Sequence, residues 1–291
     1  MFDNCQVTLT YHVTHRHLRC HYCGLVRRAP DECPQCRGVD LRMQGIGTQR
    51  VEEELHSLFP KSRVLRMDLD TTRRRGAHDR LLRMFGNREA DILLGTQMVA
   101  KGLDFPHVTL VGVISADTQM LLPDFRSAER TFQLLTQVAG RAGRSVLQGE
   151  VIIQTYQGNH YALRHVAAHN YAGFYEEETA QRRDLSYPPY SRLVLLESSG
   201  EREERVREAA ERLCSLLRRR NGFFSILGPA PAVLPRLRKQ WRWHAIIKNS
   251  KEMDPSGARL RDVLREVLSA LQKSPAAGVR LTVDVDPVGI I

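Results

Sequence analysis

The chain has no run of about 18 consecutive apolar residues, the length a membrane-spanning helix needs. Its N-terminus offers no basic segment followed by an apolar one, so the expectation is a cytoplasmic protein with no leader and no membrane partner. Cysteine almost vanishes after residue 36: five of the six lie before that point, and Cys214 stands alone among Leu213, Leu216 and Leu217 in a helical pattern that predicts burial rather than chemistry. Tryptophan occurs twice, at 241 and 243. Acidic residues are outnumbered, 33 against 43 lysines and arginines, and the net charge of +10 points to a polyanionic partner without specifying one. Repeats and low-complexity tracts are absent. With 291 residues, 42% of them hydrophobic, a folded protein of two or more domains is expected.

Cys20-x-x-Cys23 and Cys33-x-x-Cys36 are separated by nine residues, a spacing suited to a single tetrahedral four-cysteine zinc site. Four thiolates leave no open coordination position, which makes the site structural; reactive or spare cysteines are the alternative. Cys5 is left over, with His12, His15, His17 and His21 nearby as substitute ligands. Residues 1–42 therefore read as a small region organised by metal because it has too little apolar sequence for a core.

Thr48 then opens, as an N-cap, an amphipathic helix carrying Val51, Leu55, Leu58 and Phe59. Short strands at 63–67 and 91–95 flank the helical "HDRLLRMF", and "HVTLVGVISA" at 107–116 reads as a strand buried on both faces. A helix over 126–142 and the strand "EVIIQTY" follow. Strands alternating with helices over 43–160 predict a doubly wound α/β layer with a parallel sheet. Residues 161–189 read as a helical linker closed by "SYPPY", and 190–291 as an α+β module with an antiparallel sheet and a proline-rich loop.

Loops at the carboxyl ends of parallel strands hold ligands in such layers. After the strand ending at Gly95, Thr96, Gln97, Lys101, Gly102 and Asp104 occupy that position, as phosphate or nucleic-acid contacts or simply as a polar loop. "QVAGRAGR" places Gln137, Arg141 and Arg144 on one helical face, beside Gly140 and Gly143. Arginine's planar fork suits phosphate oxygens and the charge that develops in phosphoryl transfer.

"GTQMVAKGLDFP" followed by "DFRSAERTFQLLTQVAGRAGR" resembles the fifth and sixth helicase motifs of the PriA (primosomal protein N′) family of replication-restart helicases, within superfamily 2. The likeness extends through the C-x-x-C pairs, "GIGTQRVEEEL", "DLDTT", "YPPY", "LGPAPAVLPRLRKQWRW" and "DVDP". It implies a RecA-like C-terminal helicase lobe, preceded by a cysteine-rich insertion and followed by a small α+β domain. The implied activity is that of an ATP-driven 3′ to 5′ DNA helicase that recognises stalled or repaired forks and starts primosome assembly. In that setting Arg144 is the arginine finger, Arg141 a second phosphate contact and Gln137 their positioning partner. Gly102 and Asp104 face nucleotide, and Thr96, Gln97 and Lys101 couple its state to DNA. The implied partners are branched and single-stranded DNA, primosome proteins and single-strand-binding protein. For zinc, the resemblance implies two nested sites: Cys5, Cys20 and Cys23 share one, whose fourth ligand aligns with Phe2, and Cys33 and Cys36 belong to the other.

The sequence contains neither a G-x-x-x-x-G-K-[ST] loop nor a DExH box, the elements that cradle the β-phosphate and hold Mg²⁺. ATP and Mg²⁺ are therefore expected only together with a first motor lobe, and this chain alone is expected to bind DNA without turning over ATP. The rival readings are a motor-less DNA-binding or primosome-assembly module with structural zinc, and a zinc-ribbon protein unrelated to ATP. In the C-terminal module, Arg236, Arg238, Lys239, Arg242 and Lys248 interleave with Trp241 and Trp243, with no acid between Pro229 and Lys248. That composition suits nucleic acid, with at least one of the tryptophans expected in the core.

Overall fold

The computed structural model describes residues 10–12, 17–20, 23, 25–32, 37–38, 47–68, 71–72, 76–96, 105–140, 149–220, 222–272 and 278–289. Two compact units are present. The described residues of Met1–Pro30, Pro123–Phe125 and Tyr175–Ile291 form one, and those of Asp31–Leu122 and Arg126–Phe174 form the other.

Strands β1 (Thr10–His12), β2 (His17–Arg19) and β3 (Val26–Arg28) make an antiparallel sheet in chain order. Cys20 N–H donates to Leu25 O at 2.9 Å and so closes the second hairpin just beyond its last pair, Arg19 opposite Val26. Strands of three residues are too short to show an alternating pattern in the sequence.

Helix α1 (Thr48–Leu58) begins one residue earlier in role than the sequence reading has it. Gly47 is its N-cap, and Thr48 is a helical residue whose hydroxyl donates to Asp68 Oδ2 at 2.7 Å. A buried carboxylate is a stronger acceptor partner for that hydroxyl than an exposed backbone N–H is a donor. Strand β4 (Val64–Met67), helix α2 (Ala77–Gly86) and strand β5 (Ile92–Gly95) follow, with β4 parallel to β5. Their entry is pinned one residue ahead of each strand, where Arg63 Nη2 and Nε donate to Asp91 Oδ1 and Oδ2 at 2.7 and 3.0 Å.

Strands β6 (Leu110–Val113) and β7 (Glu150–Ile153) make a second parallel pair, so the described strands form two pairs rather than one continuous layer. The apolar run at 107–116 is correspondingly not buried on both faces. Four of its residues are strand, and Leu110 is 56% exposed. The reason is the pleat: Val113 and Ile153 point to the helical side, while Leu110 and Ile152 point away from it. The helical side is built from α3 (Asp117–Met120), α4 (Ser127–Ala139), α5 (Tyr161–Ala167) and the first residues of α6 (Tyr171–Asp184). Met120, Phe132, Leu135, Leu163, Val166 and Phe174 are buried together there, with Phe132 and Phe174 stacked 4.1 Å apart.

The other unit carries an antiparallel sheet of β8 (Ser191–Gly200), β9 (Phe224–Leu237), β10 (Gln240–Ser250) and β11 (Val279–Val285), in the order β11-β8-β10-β9. Helices α7 (Glu203–Arg218) and α8 (Ala258–Gln272) cover one face. Leu213, Cys214 and Leu217 from α7 and Leu264, Val267 and Leu271 from α8 meet Val194, Leu196, Ala245 and Ile247. Cys214 is fully buried, and burial pushes its thiol up, in line with a packing role. The proline-rich stretch read as a loop is instead part of β9. Pro229, Pro231 and Pro235 fit because β9 is an edge strand, where a missing N–H breaks less of the ladder.

Candidate nucleotide and nucleic-acid sites

The parallel register places Met67 opposite Gly95, so Asp68 and Thr96 leave the carboxyl edge of the first pair side by side. Thr96 is exposed. Gln97, Lys101, Gly102 and Asp104 lie outside the described residues. Asp68, which the sequence reading did not single out, organises this edge. It accepts from Thr48 and from Thr71 N–H, is ion-paired with Arg66, whose Nε lies 2.9 Å from Oδ2 without hydrogen-bond geometry, and its carbonyl accepts from Thr72 at 2.6 Å. Arg66 also reaches Glu52. The cluster joins the start of α1 to the strand end from which the expected ligand loops depart.

A second carboxylate organises the other pair. Asp117 is buried and accepts from Thr155 Oγ1 at 3.0 Å and Tyr156 N–H at 3.1 Å, tying the turn after β7 to the start of α3. Helix α4 then carries Gln137, exposed on its last turn. Gly140 N–H closes the helix onto Thr136 O at 3.0 Å. The described helix therefore stops at Ala139, short of the predicted 142. Arg141 and Arg144, and with them the predicted common face, lie outside the described residues.

The basic residues of the C-terminal unit divide into two sets. Arg242 is committed to Glu197, its Nη2 and Nε donating to Oε2 at 2.6 and 2.8 Å, and His244 Nε2 reaches the same oxygen at 3.0 Å. Donation from His244 is the main reason that the Glu197 carboxyl is lowered to about 2. Burial opposes the shift, and Arg242 adds to it. Lys248 is likewise engaged: Nζ sits 3.6 Å from the centroid of the Tyr187 ring and donates to Leu185 O at 2.7 Å. Removal from water lowers its pKa. Neither side chain has the open ammonium or guanidinium that the sequence reading gave it.

Arg236, Arg238 and Lys239 form the other set, at the turn between β9 and β10. Leu237 pairs with Gln240, which leaves Arg238 and Lys239 as a two-residue turn, both exposed and both left-handed, at φ 51 and 68. That is the backbone of a type I′ hairpin, normally occupied by Asn-Gly. The Arg236 guanidinium lies 5.1 Å from the centroid of the Trp241 ring. Both tryptophans are half-buried, so neither is a core residue; they lie near the end of the sheet, where Trp241 opposes the last residue of β8.

Of the predicted metal ligands, Cys20 and Cys23 are described. Cys20 is fully buried, Cys23 half-buried, and neither is in a disulfide. A thiol pair on a closed hairpin turn is a donor arrangement that fits a tetrahedral thiophilic ion. Cys5, Cys33 and Cys36 lie outside the described residues, and the described residues alone bring together no group of three or more ligands. No described helix is long and apolar enough to cross a membrane.

Three family models match consecutive parts of the chain. Residues 46–146 match the helicase conserved C-terminal domain, which defines the α/β part as a helicase lobe. Residues 3–28 match the PriA DNA helicase Cys-rich region domain and 183–288 the primosomal protein N C-terminal domain. Among curated proteins, the replication restart protein PriA of Bacillus subtilis is 47% identical over 285 residues, 98% of this chain and 35% of that protein. Those of Synechocystis and Haemophilus influenzae are 44% and 36% identical over 99% and 98% of this chain, and 34% and 38% of their own length. The chain belongs to the PriA family of replication restart proteins. It spans about a third of the length of these relatives.

Proposed function

We propose that the chain supplies the second motor lobe, the cysteine-rich region and the C-terminal domain of an ATP-dependent 3′ to 5′ DNA helicase that restarts replication at stalled or repaired forks. The observation that carries this reading is the segment "DFRSAERTFQLLTQVAGRAGR", largely mounted on α4 inside the matched helicase domain. Gln137 sits exposed on the last turn of that helix, and Arg141 and Arg144 follow it in the sequence. Their role is to hold guanidinium charge where negative charge develops on the γ-phosphate. Thr96, with Gln97, Lys101, Gly102 and Asp104 after it, links that chemistry to nucleotide and DNA backbone at the carboxyl strand edge. ATP and Mg²⁺ are cradled mainly by a first lobe carrying the phosphate loop and acidic box that these 291 residues lack.

Cys20 and Cys23, with Cys5, Cys33 and Cys36, are the residues that would hold zinc. The ion would supply a structural cross-link and no chemistry. DNA at forks, primosome proteins and single-strand-binding protein are the partners of this reading.

The test is DNA-stimulated ATP hydrolysis, measured on this chain alone and with a first motor lobe supplied. Turnover is expected only with both, and it should fall about a thousandfold or more in Arg144→Ala. Turnover by the chain alone, or turnover indifferent to Arg144, would overturn the reading. The alternative is a DNA-binding assembly module that works without a motor. DNA binding that persists while no supplied lobe restores hydrolysis would favour it.

A further inference from the structure

We propose that Tyr156, at the carboxyl edge of the second parallel strand pair, is a stacking platform for an unpaired base of single-stranded DNA. This rests on the DNA-binding part of the function proposed above and gives it a residue that lies outside the helicase motifs.

Along β7 and just past its end the side chains alternate: Val151, Ile153 and Thr155 are the more buried, and Ile152, Gln154 and Tyr156 are exposed. Tyr156 stands out among them, because it is 96% exposed. Burial of a ring is what makes an aromatic useful to a fold, and this ring is not buried. Folding therefore does not explain a large aromatic at this position.

The backbone beneath the ring, by contrast, is fixed on both sides. Tyr156 N–H donates to Asp117 Oδ2 at 3.1 Å, and Thr155 Oγ1 donates to Oδ1 of the same buried carboxylate at 3.0 Å. Gln157 N–H donates to Thr155 Oγ1 at 3.0 Å, and His160 N–H closes the turn on Gln157 O at 2.9 Å. One residue before Asp117, Ala116 N–H donates to Gln154 O at 3.1 Å. An exposed ring on a pinned backbone has only its own side-chain torsions left to lose when something stacks on it, so the entropic cost of binding is small.

The surroundings select the ligand. Residues 151–163 contain no Asp, Glu, Lys or Arg, and the exposed neighbours of Tyr156 are the amides Gln154, Gln157 and Asn159. The space beside Gly158 is open, since a Cβ built there would meet nothing within 4 Å. A ring among neutral amides does not grip phosphate. It suits the part of a nucleic acid that is flat, uncharged and rimmed with hydrogen-bonding groups, and stacking tolerates any sequence because every base has a π-face. The location agrees: ligands of α/β layers sit beyond the carboxyl ends of the strands, where Tyr156 follows β7. The net charge of +10 draws the phosphate chain to the protein, and Tyr156 then holds a base of it.

The experiment uses the full chain with a labelled oligothymidylate and an abasic oligomer carrying the same number of phosphates. Tyr156→Ala is expected to weaken binding to the oligothymidylate about tenfold and to leave binding to the abasic oligomer unchanged. Its plot of log affinity against log salt should keep the parent slope, since no phosphate contact is removed. Tyr156→Phe, which keeps the ring, should bind as the parent does. With the ring exposed, parent and variants should melt together, which separates a loss of affinity from a loss of fold.

Equal affinity of parent and Tyr156→Ala for the oligothymidylate would overturn the proposal, and so would an equal loss on both oligomers. A labelled adenine nucleotide tests the other source of a base: if Tyr156→Ala weakens its binding and spares the oligothymidylate, the proposal falls. A chain that binds neither oligomer at any salt concentration removes the DNA reading of the function, and this inference with it. Salt-dependent binding that is indifferent to Tyr156 removes only the present inference.

Discussion

The ring of Tyr187 lies parallel to that of Phe125, with 6° between the planes and 4.9 Å between centroids. The pair is the middle of a four-part stack. The Arg182 guanidinium lies over Phe125 at 5.2 Å, and Lys248 Nζ over Tyr187 at 3.6 Å. Arg182 is itself tied to Glu178 at 2.6 Å. This explains why Pro123–Phe125 belongs to the C-terminal unit although its neighbours in sequence do not. Stacking and cation–π terms of this kind are worth about 0.5–1.5 and 0.5–2 kcal/mol respectively. Tyr187→Ala should therefore destabilise the unit by about 2–3 kcal/mol in denaturant melts followed by tryptophan emission, and Tyr187→Phe should be nearly neutral. Equal stability of the Ala and Phe variants would show that the stack contributes nothing.

Glu197 gives the chain an acid-side stability term. Its carboxyl titrates near 2 in the folded protein, against an ordinary 4.5, chiefly because His244 donates to it. A depressed folded-state pKa means that the stabilisation is complete above the unfolded value and is lost as pH falls from about 4.5 through 2. Glu197→Gln should flatten stability against pH across that window. An unchanged slope in the variant would place the acid sensitivity elsewhere.

Asp117 predicts a local effect. Replacing it with Ala leaves Tyr156 N–H and the Thr155 hydroxyl without their acceptor, at a cost of about 2–3 kcal/mol. Hydrogen exchange at Tyr156 should accelerate more than exchange in the C-terminal sheet. Uniform acceleration across both would rule out a local tether.

Asp254 is the counterpart at the start of α8. It is buried, accepts from Leu260 N–H at 3.0 Å and from Asn249 Nδ2 at 3.1 Å, and its carbonyl receives Arg192 at 2.8 Å. Burial works against its ionisation, but Leu260 N–H, Asn249 and Arg259 N–H outweigh that and lower its pKa. Asp254→Ala should cost about 2–4 kcal/mol, since it removes a helix cap and orphans Asn249 as well. Thermal melts of the single variant and of Asp254→Ala with Asn249→Leu check this. The double variant should recover part of the loss.

The C-terminal unit was the most legible part of the sequence. "SRLVLLESSG" and the helical spacing of Leu213, Leu217, Leu264 and Leu271 report local geometry, which is where pattern is strongest. What local pattern does not report is the partner a side chain takes from a distant part of the chain. Arg242 and Lys248 look like open cations in sequence, but each is taken by a group about 45 to 63 residues away, Glu197 and Leu185 with Tyr187. Thr48 has the chemistry of a cap, and a distant carboxylate claimed it. The prolines of β9 mimic a loop because a strand's place at the edge of a sheet is a tertiary fact. The arginine motif was legible in sequence alone: Gln137 sits exposed on the last turn of α4, and Arg141 and Arg144 lie outside the described residues.

Those prolines also bear on how the protein behaves in a crowd. An exposed strand edge is a row of donors and acceptors on which another chain can register. Residues 229, 231 and 235 put three gaps in the donor row along β9, on the outer strand of the sheet. A second molecule aligning there would meet an interrupted ladder and gain little by adding a strand. A basic protein thus keeps one flank that resists self-association, and Pro231→Val with Pro235→Val is the change most apt to make it aggregate through that edge.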